Sequence, residues 1–200
     1  SEIKIEESRG IYFTLNLWWE GKKIDTGIAR DIYLNHISTY LQRKQIEIFI
    51  GSRRTGKTTL LKQMINTLLT TGICEKDIFY RALDHPVLSD IRISDHLRNI
   101  RKLFMHDRDR KLYLFLDEVQ ESPQWEVELK ALYDLEPLKI FCTGSTSSLL
   151  TRQEGKLTGR QIVNTVFTLS FREYIQFKGG APSLSEDYKY EQLAEDYLSI

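Results

Sequence analysis

Two glycines stand five positions apart in Gly51-Ser-Arg-Arg-Thr-Gly56, and Lys57 and Thr58 follow at once. That spacing suits phosphate. The glycines let the backbone curl so that successive N–H groups point inward at phosphate oxygens. Lys57 adds a point charge for the β- and γ-phosphates, and the Thr58 hydroxyl is placed to ligate Mg²⁺. The candidate nucleotide-binding residues are Gly51, Ser52, Arg53, Arg54, Thr55, Gly56, Lys57, Thr58 and Thr59. Arg53 and Arg54 enter through their backbone N–H groups, with side chains read as outward contacts to a partner or a neighbouring acid.

Further along, "LYLFLDE" ends a continuously apolar run in Asp117 and Glu118. Asp117 at a strand's carboxyl end is placed to hold Mg²⁺, directly or through water. Glu118 can act as base or orienter for an attacking water, which favours hydrolysis over transfer to an acceptor. The alternative is that both acids cap the next helix. "FCTGSTSS" closes another apolar run with Thr143, Ser145, Ser147 and Ser148. Thr143 and Ser145 are candidates to sense the γ-phosphate, although Thr-Gly-Ser is also an ordinary turn. Arg160 in "LTGRQI" can supply charge to the transition state on the same or a neighbouring nucleotide, or form a surface salt bridge.

These residues need a scaffold that brings strand ends together. "IEIFI", "DIFYRAL", "KLYLFLDE", "LKIFCTGS" and "QIVNTVFTL" read as strands, apolar almost throughout. Helical spacing appears over Thr58–Leu69, after a cap at Ser94-Asp95, over Trp125–Tyr133, over Ser170–Phe177 and over Ser185–Leu198. Strands alternating with helices in this way predict an α/β fold with a parallel sheet covered on both faces. Residues 1–45 read as an extension, with a hairpin around Glu20-Gly21-Lys22 and then a helix. On such a strand the adjacent Trp18 and Trp19 would face opposite sides. Residues 46–178 form the core, and residues 179–200 begin a helical continuation after a Gly-Gly-Ala-Pro break.

The 200 residues carry no formal net charge, which argues against binding nucleic acid through bulk charge. Cys74 and Cys142 match no zinc or redox spacing, and His36, His85, His96 and His106 show no ligand spacing. Asp84 after the second strand reads as a turn residue. No segment has the form of a signal peptide or a membrane span, so a cytoplasmic protein is expected.

"GSRRTGKTTLL", "LYLFLDEVQ", "FCTGSTSSLL", "LTGR" and "LSFREY", in that order, resemble the archaeal and bacterial AAA-type P-loop ATPases of the additional-strand, catalytic-glutamate division, related to signal-transduction ATPases. The similarity covers roughly residues 46–177. It implies a three-layer sandwich with a five-stranded sheet of order 5-1-4-3-2, a fourth strand inserted between the strands carrying the loop and Asp117, and ATP with Mg²⁺. It also implies the roles above for Asp117, Glu118 and the Thr143–Ser145 tip, with Arg160 completing the site in cis or in trans. Relatives usually continue into a further C-terminal domain, so the chain is expected to be an ATPase module.

The expected function is Mg²⁺-dependent ATP hydrolysis that drives conformational change in an attached domain or protein partner, with oligomerisation open. Two other readings stay open. One is a switch that holds ATP and hardly cleaves it; the other is a nucleic-acid-remodelling ATPase, motivated by Arg98, Arg101 and Lys102 on one helix. A small-molecule kinase lacks an evident acceptor site.

Overall fold

The computed structural model describes residues 2–88, 90–149, 157–179 and 194–199. Five strands form its centre: β1 (Ile46–Gly51), β2 (Ile78–Ala82), β3 (Leu112–Asp117), β4 (Leu138–Ser145) and β5 (Gln161–Thr165). All adjacent pairs are parallel, in the order β2-β3-β4-β1-β5. This is the implied order read from the other edge, with β4 between β1 and β3. The apolar runs are continuous because both faces are covered: β1 is buried along its whole length.

Helices surround the sheet: α1 (Glu2–Leu15), α2 (Asp31–Leu34), α3 (Ile37–Gln42), α4 (Lys57–Thr70), α5 (Ile93–Leu103), α6 (Trp125–Leu135), α7 (Thr146–Leu149) and α8 (Phe171–Phe177). No described helix is long and apolar enough to cross a membrane. Glu47 in β1 and Lys139 in β4 are among the charges that interrupt the apolar strands. They meet at 3.4 Å, and the Lys139 ammonium also donates to the carbonyls of Arg43 (2.9 Å) and Gln45 (2.6 Å). Burial nevertheless pushes the Lys139 ammonium down to about 8.

The hairpin expected near residue 21 is absent. Helix α1 and a 3₁₀ turn at Leu17–Glu20 occupy that stretch, and Gly21 ends the turn in the left-handed region at φ 71°. The residues that suggested strands serve a different need. β2 is an edge strand, and Ile78 and Tyr80, two residues apart, point backbone groups to its open side. Asn16 answers them: its side-chain carbonyl accepts from the Tyr80 N–H at 2.7 Å, and its amide donates to the Tyr80 carbonyl at 3.1 Å. Trp18 and Trp19 are both buried, against the expectation of opposite faces, and both indoles donate to the Ile78 carbonyl. Side chains thus do what a sixth strand would do.

Asn16→Ala is therefore expected to destabilise the fold by about 3 kcal/mol, since it orphans buried backbone groups. A fall in melting temperature of roughly 6 to 12 °C would follow for a chain of this size, measurable by circular dichroism. A change within 2 °C or so would refute this account of the edge.

The cap expected at Ser94-Asp95 is also replaced. Helix α5 starts at Ile93 after an N-cap at Arg92, with no side-chain cap of its own, and the buried Glu128 carboxylate of α6 accepts the Ser94 N–H at 3.1 Å. A carboxylate from a packed neighbour does the work that a local side chain would do. At α8 the local signal holds: Ser170 and Glu173 form a complete capping box. The helix expected over Ser185–Leu198 and the break at 179–182 lie mostly outside the described residues.

Candidate functional site

The loop follows β1 directly and leads into α4. Gly51 must be glycine here: an added Cβ would lie 2.4 Å from the Val166 carbonyl oxygen and 2.8 Å from the Thr55 hydroxyl. Gly56 caps α4 at φ 83°, a left-handed conformation that glycine adopts without strain. The Thr55 hydroxyl closes the turn onto the Ser52 carbonyl at 3.0 Å. Lys57, 5% exposed, folds its ammonium back onto the carbonyls of Gly51 (3.1 Å) and Ser52 (2.8 Å).

Parallel pairing brings the other strand ends to the same edge. Leu116 registers with Cys142 and Ala82 with Asp117, so Asp117 and Thr143 are next neighbours beyond the last paired rung. The buried Asp117 carboxylate receives hydroxyls from three elements. Thr58 donates to Oδ2 at 2.6 Å, Tyr80 to Oδ2 at 2.9 Å, and Thr143 to Oδ1. Burial first, and Asp117 next, push the Tyr80 phenol well above the usual tyrosine range, so it remains a donor.

Glu118 follows in the left-handed region at φ 53°. Its N–H donates to the Thr143 hydroxyl at 3.0 Å, and its carboxylate accepts from the Gln120 amide at 2.6 Å. Glu118 borders a cavity of about 580 Å³ together with Arg53, Lys57, Thr58, Asp84 and Ser145. The strand tip thus divides its duties. Ser145 lines the cavity, whereas Thr143 ties Asp117 to the Glu118 backbone. Asp84 sits in a turn, as expected, and also faces this space.

A second cavity of about 790 Å³ borders the loop where Thr55, Gly56 and Thr59 meet the segment Asp25–Ile28 and residues Leu169 and Tyr197. Arg54 is exposed and borders both cavities. The sequence reading missed Tyr80, Gln120, Arg30 and the 25–28 segment. Only Gln120, two places after Glu118, carried a local signal.

Arg160 is not brought here. Its carbonyl accepts the Ile46 N–H at 2.8 Å, which puts it beside the start of β1, at the sheet edge opposite the loop. Its guanidinium is held by Asp134 at 2.9 and 3.1 Å. The basic face of α5 is likewise engaged: Arg98 pairs with Asp95, and Arg101 with Glu136. Among the described residues no group of three or more His, Cys, Asp or Glu side chains converges as a metal site.

A family model described as an AAA domain matches residues 43–175. An uncharacterized protein of Methanocaldococcus jannaschii is 30% identical over 171 residues, covering 84% of this chain and 34% of that protein. An uncharacterized protein of Haemophilus influenzae is 27% identical over 152 residues, covering 76% and 38% respectively. The chain therefore spans little more than a third of these relatives. Among solved structures, a Saccharomyces cerevisiae Hsp104–ADP complex superposes with a TM-score of 0.61 at 17% identity, over 82% of this chain and 25% of that one. An Hsp104–casein complex in an extended conformation gives 0.59 at 16% identity, over 88% and 34%. At such identities these structures share the fold.

Proposed function

The chain belongs to the AAA domain family, and from that premise we propose that it binds ATP with Mg²⁺ and hydrolyses it to move an attached domain or protein partner. The observation that carries the reading is the 2.6 Å contact between Thr58 of the loop and Asp117 of β3. A hydroxyl and a carboxylate side by side are oxygen donors suited to a hard cation. With no third acid converging among the described residues, phosphate and water oxygens would complete the shell. Mg²⁺ bound with the nucleotide supplies charge neutralisation on the β- and γ-phosphates.

The chain's own groups then have distinct tasks. Lys57 exchanges its loop carbonyls for phosphate oxygens. Asp117, gripped by Tyr80 and Thr143, keeps the metal side fixed. Glu118 orients a water in the smaller cavity and accepts its proton as the water oxygen bonds to the γ-phosphorus. The bond to the β–γ bridging oxygen breaks, and ADP and phosphate leave. The larger cavity suits the nucleoside. The position of β4 between β3 and β1 supports membership of the additional-strand, catalytic-glutamate division, to which the signal-transduction ATPases are related. Arg160, at the far edge of the sheet, has a role only toward a second copy of the chain.

The test is single-turnover phosphate release from ATP, with and without Mg²⁺. Release within minutes, abolished by EDTA, is the expected outcome. Bound ATP that stays intact for hours would replace hydrolysis by the switch reading, and failure to bind ATP or ADP would overturn the assignment. A rate independent of protein concentration would remove Arg160 from the mechanism.

A further inference from the structure

Arg30 lies in the stretch before the core, 21 residues ahead of Gly51 by number, yet its side chain bonds to the loop itself. It is 3% exposed. Its Nη1 donates to the Thr55 carbonyl at 2.9 Å, and its Nη2 to the Phe167 carbonyl at 3.1 Å. Nε and Nη2 together grip the Glu173 carboxylate at 2.8 and 3.2 Å. The guanidinium also lies 4.8 Å from the centroid of the Tyr33 ring. One side chain therefore joins the phosphate loop, the chain after β5 and the first turn of α8.

We propose that Arg30 is a positioning residue that sets the orientation of the Thr55–Gly56 peptide, and through it one of the phosphate-facing N–H groups of the loop. The proposal rests on the reading of the loop as a nucleotide site. A trans peptide is planar, so its C=O and N–H point in opposite directions. With the Thr55 carbonyl held by Arg30, the Gly56 N–H must point away from Arg30. Gly56, at φ 83°, adopts either sign of φ readily, so this peptide has little intrinsic resistance to turning over. A turned peptide would show an oxygen to a phosphate in place of a donor.

Glu173 completes the device. It is the acidic member of the α8 capping box, bonded to the Ser170 N–H at 2.8 Å, so the partner of Arg30 is itself anchored. Lysine cannot reproduce this arrangement, because its three donors radiate from one nitrogen, whereas the guanidinium spreads its donors over a rigid plane that reaches all three segments. The competing account is a buried ion pair that only fastens the N-terminal stretch to α8.

The two accounts separate on the phosphate that the loop must hold. Affinities for ADP and AMP are measured with Mg²⁺ at a temperature where circular dichroism shows each variant folded. Arg30→Lys is expected to weaken ADP binding about tenfold, the loss of roughly one charge-assisted bond. AMP, which lacks the β-phosphate, is expected to stay within about twofold. Glu173→Gln keeps the capping box and the Thr55 contact, and its loss is expected to be smaller, about threefold, again confined to ADP. An unchanged ADP-to-AMP affinity ratio in folded Arg30→Lys overturns the proposal, whether both affinities fall or neither does. If Arg30→Lys does not fold, an unchanged ratio in Glu173→Gln overturns it. If the native chain binds neither nucleotide, it is the nucleotide reading itself that fails.

Discussion

Lys57→Ala is expected to weaken ADP and ATP binding by about a hundredfold or more and to abolish measurable turnover. A hydrogen bond to a charged group contributes on the order of 1.5–3 kcal/mol, and the ammonium is placed for both the β- and γ-phosphates. The fold gives little reason for a stability artefact. Position 57 is the first residue of α4, where alanine is a good helix former. What the substitution removes in the free protein is the pair of bonds from Nζ to the Gly51 and Ser52 carbonyls. Lys57 itself borders the smaller cavity, from which water can replace the lost ammonium. The melting temperature is therefore expected to move by only a few degrees while affinity collapses. Titration calorimetry beside a thermal melt checks both halves; an affinity within about threefold of the native chain would dismiss the role given to Lys57.

How much of this was legible in the sequence depends on how local each cause is. The loop, β3 and β4 announced themselves because phosphate binding and burial impose strict patterns on short stretches. Asp117 and Thr143 could be matched because parallel strands of similar length end at one edge. Tyr80 could not: its register against β3 brings its phenol to Asp117, and no spacing within "DIFYRAL" reports that. Arg30 is harder still, since its three partners lie in the loop, after β5 and in α8. The hairpin failed for an instructive reason. Large apolar and aromatic residues around a turn do suit a strand pair, but here they cover the edge of β2 from a helix and a turn. Arg160 reads well by its position before β5, yet a residue that precedes a parallel strand emerges at the edge opposite the one where the strands deliver Asp117 and Thr143.

Glu118 is where the sequence and the geometry make the sharpest joint demand. Glu118→Gln is expected to lower single-turnover hydrolysis by about 10²–10⁴-fold while leaving ATP affinity nearly unchanged. The glutamine is the same size, but its oxygen is drawn to the Gln120 amide that now serves Glu118 at 2.6 Å. Its own NH₂ then faces the cavity, presenting a donor where the water needs an acceptor. A second substitution separates catalysis from fold. Glu118 holds a left-handed backbone, φ 53°, at a cost of about 1–2 kcal/mol for a residue with a side chain. Glycine relieves that cost, although its greater freedom in the unfolded chain offsets roughly 0.5–1 kcal/mol of the gain. Glu118→Gly is thus expected to be as stable as the native chain, or more so, and as inactive as Glu118→Gln. A urea melt and a phosphate-release assay on the same preparation decide it. If Glu118→Gly lost stability by about 2 kcal/mol or more, the residue would be a structural cap. If it kept turnover, the water would have to be oriented by something other than Glu118. A strained backbone that can be relaxed at no cost except turnover would mark a position held for chemistry rather than for folding.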